Sequence, residues 1–110
     1  MFARRVYMHL KPNSVAEFTQ RLEKDVLPLL KKQTGFRDEI TFVGQGGKEA
    51  FAISLWDKAE NAEAYNRTTY PEVAKLLANV VEATPQVETF EVANSTFHKI
   101  AAGVAAAATV

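Results

Sequence analysis

The chain has 110 residues, 47% hydrophobic and 24% charged, with 13 Lys and Arg against 13 Asp and Glu. That is the composition of one ordinary globular domain, and a formal charge of zero gives no electrostatic reason to expect nucleic acid or an anionic membrane as the partner. With no cysteine, disulfides, thiolate metal sites and a cysteine nucleophile are all excluded.

Residues 3–10 alternate, with Val6, Met8 and Leu10 on one face and Arg5, Tyr7 and His9 on the other, which predicts a strand. Arg4 and Arg5 precede no uninterrupted apolar stretch of the kind a secretory or twin-arginine signal needs, so the expected compartment is the cytoplasm. Lys11, Pro12 and Asn13 break the strand. Ser14 followed by Glu17 then has the form of a capping box opening a helix, along which Val15, Phe18, Leu22, Val26 and Leu29 form one apolar stripe. Pro28 should kink or shorten the last turns, and Gly35 marks the stop.

Two further strands are expected at 36–43 and 50–56, joined as an antiparallel hairpin by Gly44-Gln-Gly-Gly-Lys-Glu49. Asp57 with Glu60 repeats the capping pattern and starts a second helix through Ala59, Ala62 and Tyr65. Pro71 implies a break near Thr69, followed by a second helical piece carrying Val73, Leu76, Leu77 and Val80. Thr84-Pro85 should end it, leaving a fourth strand at 87–93 and a short strand or arm at 95–100. The order βαββαβ is an α+β, ferredoxin-like plan with an antiparallel sheet, in a single domain over 1–100 followed by an Ala-rich tail at 101–110. That tail is about half the length needed to span a bilayer.

In simple register Tyr7, His9, Thr41, Val43, Ser54 and Trp56 would share one sheet face. A face combining Trp, Tyr and Val is one that a second copy of the chain would cover. The chain also resembles the dimeric α/β-barrel superfamily, and within it the antibiotic biosynthesis monooxygenase-like proteins. The resemblance is carried by Gly35-Phe36-Arg37 and by Ser54-Leu55-Trp56-Asp57 leading into Glu60-Asn61-Ala62-Glu63-Ala64-Tyr65. It implies a homodimeric barrel and, in some members, cofactor-free oxidation of quinol-like substrates. The haem-degrading branch uses an Asn, a Trp and a His where this chain aligns Val6, Tyr65 and Lys75, so the resemblance does not extend to haem chemistry.

Site candidates follow from residue chemistry. His9 is suited to moving a proton near neutral pH, and Tyr7 shares its strand face, so the two are the expected catalytic pair; the bland alternative is a half-buried strand His bonded to a neighbour. Trp56 and Tyr65 are the expected substrate-binding aromatics, with Tyr70 similar, although each also fits a core contact. His98 lies in the C-terminal arm. Two distant histidines form no recognisable metal set, Gly44 to Gly47 lacks the context of a phosphate loop, and neither cofactor nor metal is expected. Three functions compete: a homodimeric, cofactor-free oxidase of a small aromatic molecule, a non-catalytic dimeric ligand-binding or stress-response module, and an RNA-binding domain. The last is disfavoured because residues 50–56 contain no Lys or Arg.

Overall fold

Alternation and proline placement translate almost directly into the element order of the computed structural model, which describes residues 1–98. The elements are β1 (Phe2–Leu10), α1 (Val15–Arg21), a π-helical turn (Leu22–Val26), α2 (Leu27–Lys31), β2 (Phe36–Val43), β3 (Glu49–Trp56), α3 (Ala59–Thr68), α4 (Tyr70–Leu77) and β4 (Val81–Glu91). The four strands form one antiparallel sheet in the order β2-β3-β1-β4, with β3 inserted between β1 and β2, as the ferredoxin-like plan requires. Among the described residues no helix is long and apolar enough to cross a membrane.

The first helix is interrupted for a physical reason. Pro28 has no N–H to give to the turn before it and its ring crowds that turn's carbonyl, and the backbone answers with the wide turn at Leu22–Val26. The stripe itself survives: Phe18, Leu22, Val26 and Leu30 are buried. Neither expected capping box forms. Ser14 and Lys58 occupy the cap positions without side-chain cap bonds, Glu17 pairs instead with Arg21 at 3.0 Å, and Asp57 accepts from Arg37. The helix break at Thr69 falls where Pro71 predicts it.

β4 begins six residues earlier than the sequence pattern indicates and takes in Val81 and Pro85. It is an edge strand, where a proline costs no ladder hydrogen bond if its nitrogen faces outward. Between the pairs Tyr7 with Gln86 and His9 with Glu82, the single residue Met8 faces Ala83, Thr84 and Pro85, so β4 bulges, and Ala83 takes a left-handed φ of 59°. Gly35 turns the chain into β2 at φ 80°, with the Asn61 side chain packed where a Cβ would stand.

Register decides which side chains share a face, and it corrects the grouping expected from simple alternation. Tyr7 pairs with Phe51 and Phe51 with Phe42, while Ser54 pairs with Arg4 and Glu39, and Trp56 with Phe2 and Phe36. The helices cover the face carrying Arg4, Val6, Met8, Ala52, Ser54, Trp56, Glu39 and Thr41, so Tyr7 and His9 lie on the opposite, open face. A slip of one residue is enough to produce this exchange. The arm at 95–100 is described only to His98, where it forms a turn, and Lys99, Ile100 and the tail at 101–110 lie outside the described residues.

Candidate functional site

A cavity of about 350 Å³ lies between the helices and the covered sheet face, near the lower end of the roughly 300–1,000 Å³ typical of small-molecule sites. Its floor is the sheet, through Val6, Met8 and Ala52. Its roof is helical, through Leu22, Val26, Val73 and Leu77, and the β4 bulge at Ala83, Thr84 and Pro85 closes one side. The stripe that builds the core therefore stops short of filling it.

Against this apolar lining stands one polar row. Pairing across three strands places Glu39 beside Ser54 and Ser54 beside Arg4, all three on the cavity wall. Arg4 is the more unusual member, being only 3% exposed. One of its nitrogens, Nη2, donates to Asn66 Oδ1 at 2.7 Å, and the guanidinium carbon lies 4.2 Å from the Tyr70 ring centre and 5.2 Å from that of Tyr65. Among the described residues no carboxylate oxygen comes within ion-pairing distance of it. Burial pulls its pKa below the usual arginine value, with the two phenols opposing that shift. The group nevertheless remains a cation.

Glu39 is half-buried and accepts a hydrogen bond from the Thr41 hydroxyl. Burial raises its carboxyl above the ordinary carboxylate range, and the Thr41 bond offsets part of the rise. The Tyr65 phenol is pushed up to about 12, chiefly by burial, so it stays protonated near neutral pH and keeps a hydroxyl proton to donate. Ser54 holds the layer behind it in place: its Oγ accepts from Trp56 Nε1 at 2.9 Å.

The four residues expected to form the site fall into two pairs. Trp56 and Tyr65 come together on the helix-covered side with ring centres 5.2 Å apart; Tyr65 lines the cavity, and Trp56, fully buried, backs it. Tyr7 and His9 also meet, edge to face at 5.2 Å, but on the open sheet face. There Glu49 raises the Tyr7 phenol above its ordinary value. The structure thus brings each pair together and sets the sheet between them. Tyr70 lines the cavity too, Lys75 is exposed on α4, and His98 Nε2 lies 2.7 Å from Asp38 Oδ2 at the open face. Arg4 and Glu39 are the cavity residues that the sequence reading missed. A signal for Arg4 was present, because it occupies the same strand phase as Val6, Met8 and Leu10, where a charge is out of place.

Comparison with known proteins rests on shape. No protein-family model matches the chain, and no curated protein matches it in sequence. Solved structures do: SnoaB, a cofactor-independent oxygenase from Streptomyces nogalater, superposes with a TM-score of 0.72 at 12% identity over 86% of this chain and 95% of its own. The fold is that of the antibiotic biosynthesis monooxygenase-like proteins. An antibiotic biosynthesis monooxygenase covers 84% of this chain and 98% of its own at a TM-score of 0.67 and 13% identity. A Nitrosomonas europaea protein of unknown function shares the same monooxygenase-like fold at 0.71 and 17%, covering 86% of this chain and 91% of its own. Identities this low establish the architecture, and the chemistry must be argued from this chain's own side chains.

Proposed function

We propose that the chain is a homodimeric oxygenase of cofactor-independent type, acting on a small aromatic, quinol-like molecule held in the cavity between sheet and helices. The observation that carries this reading is the Glu39 carboxyl at one end of the polar row on the cavity wall, with its proton affinity raised by burial. A half-buried base of raised pKa is suited to taking the proton of a bound phenol, and the resulting phenolate is electron-rich enough to react with dioxygen. At a ring methylene conjugated to that phenolate, the overall change is CH2 plus O2 to C=O plus water: one oxygen atom enters the substrate and the other leaves with the two hydrogens. Tyr65, backed by Trp56, supplies the aromatic wall, and SnoaB, of the same shape, is described as cofactor-independent.

Dimerisation is supported by the open sheet face. Ile40, Phe42 and Phe90 are 47%, 43% and 48% exposed there, and Phe42 stacks on Phe51 at 4.8 Å, a patch suited to cover by a second copy. Phe42→Glu should turn a dimer into a folded monomer in light scattering.

Oxygen uptake and product analysis with a panel of anthrones and hydroquinones test the chemistry. Turnover by the wild type, falling about 10²- to 10⁴-fold in Glu39→Gln while His9→Ala is unaffected, is the expected result. Loss in His9→Ala with Glu39→Gln unaffected would move the chemistry to the open face. Binding without turnover of any compound would leave a non-catalytic ligand-binding module.

A further inference from the structure

Among the described residues Arg4 is a buried cation with no carboxylate within ion-pairing distance. It is almost wholly withdrawn from water, its side-chain hydrogen-bond partners among the described residues are the neutral Asn66 amide and the Tyr70 phenol, and its pairing partners on the sheet are Ser54 and Thr89. A buried cation without a counter-charge is costly, and proteins that keep one have a use for it. Its neighbour Arg5, one residue along the same strand, shows the ordinary solution, an ion pair with Glu88 at 2.6 Å. Among the described residues no Arg4 nitrogen is both buried and unpaired, and the side chain lines the cavity where a ligand would sit.

We infer that Arg4 is an anion subsite and that the cavity takes an aromatic hydroxy acid, its carboxylate on the Arg4 guanidinium and its phenol directed towards Glu39. This rests on the cavity being the substrate site proposed above. Several features agree on it. A planar guanidinium matches a planar carboxylate with paired N–H donors, and it lies against the rings of Tyr70 and Tyr65 at 4.2 and 5.2 Å from their centres. Glu39 stands two strands away from Arg4, about 10 Å between backbones at the usual strand spacing, so one end of a flat two-ring molecule can meet each group. The middle of the row is Ser54 and the surrounding lining is apolar, which suits a ring system rather than a second charge. The Arg4 cation at the far end of the row offsets the charge of an added carboxylate, which leaves Glu39 to face the phenol.

The test compares 6-hydroxy-2-naphthoate with its uncharged counterpart 6-hydroxy-2-naphthamide by isothermal titration calorimetry on the full-length protein. The acid should bind about ten- to a hundredfold more tightly than the amide, the worth of a charge-assisted bond to a buried arginine. Arg4→Gln should abolish that preference while leaving amide binding in place, Arg4→Lys should retain part of it, and Arg5→Gln should retain all of it. If Arg4→Gln does not melt cooperatively, the wild-type pair of ligands and Arg4→Lys decide the matter. Equal binding of acid and amide overturns the anion subsite and leaves the cavity as the substrate site. An acid preference that persists in Arg4→Gln overturns the assignment to Arg4. Binding of neither compound overturns both the subsite and the substrate-site reading.

Discussion

The two faces of the sheet are built by the same strands and have similar apolar content, yet they do opposite things with it. On the helix-covered face Val6, Met8, Ala50 and Trp56 are buried, and Val6 and Met8 floor a cavity with charged groups at its wall; on the open face Ile40, Phe42 and Phe90 are half in solvent, and charge is neutralised pairwise, as in Arg5 with Glu88. Arg4 and Arg5 put the contrast in adjacent residues. What separates them is the direction of a single Cβ, since strand neighbours point to opposite faces. Burial, rather than residue type, turns an arginine from a surface ion pair into a candidate ligand contact.

Truncating one aromatic on each face should separate their contributions most strongly. Trp56→Ala removes a fully buried indole touching Phe36 and Tyr65, and should cost about 3–5 kcal/mol in denaturant unfolding, whereas Phe42→Ala, half exposed, should cost about 1 kcal/mol in the monomer. Equal losses would mean that the open face contributes to the core as fully as the covered one.

A second test uses pH. Burial raises the folded-state pKa of Glu39 above its unfolded value, so the folded form binds more protons in the interval between them, and the Glu39 contribution to stability is present below the unfolded value and lost as pH rises through the folded one. Glu39→Gln should therefore gain in melting temperature relative to the wild type as pH is raised from 4 towards neutrality, a trend on the scale of ordinary carboxylate titration. A constant difference between the two proteins across that range would show that Glu39 is solvated like a surface carboxylate. The smallest effect is expected from Arg5→Gln, which breaks a partly exposed ion pair and should change stability by about 1 kcal/mol or less, with the effect shrinking further in high salt.

Much of the architecture was legible because it depends on local periodicity. The alternation around Val6, the spacing of Phe18, Leu22 and Val26, the glycine-bearing hairpin and the break before Pro71 each follow from the chain's own stereochemistry within a few residues. β4 was read short because Thr84-Pro85 is a strong breaker in isolation, and only an edge position with a bulge makes it tolerable. The capping boxes were legible as patterns and still failed to form, because Arg21 and Arg37 claim the carboxylates that would have capped. Of the residues singled out from the sequence, Tyr65 lies on the cavity wall and Trp56 packs behind it. The cavity's polar row could not be read from the sequence.

Element order and the ferredoxin-like plan were legible before any tertiary contact was known, since both rest on short-range periodicity. The tertiary structure alone decided that Glu39, Ser54 and Arg4, separated by up to 50 positions along the chain, stand in one row on one cavity wall, and that Tyr7 and His9 stand behind it. The reason is register: a strand's pattern says that its faces differ, but which face meets which neighbour is fixed only when the strands pair, and a single residue of slip exchanges them.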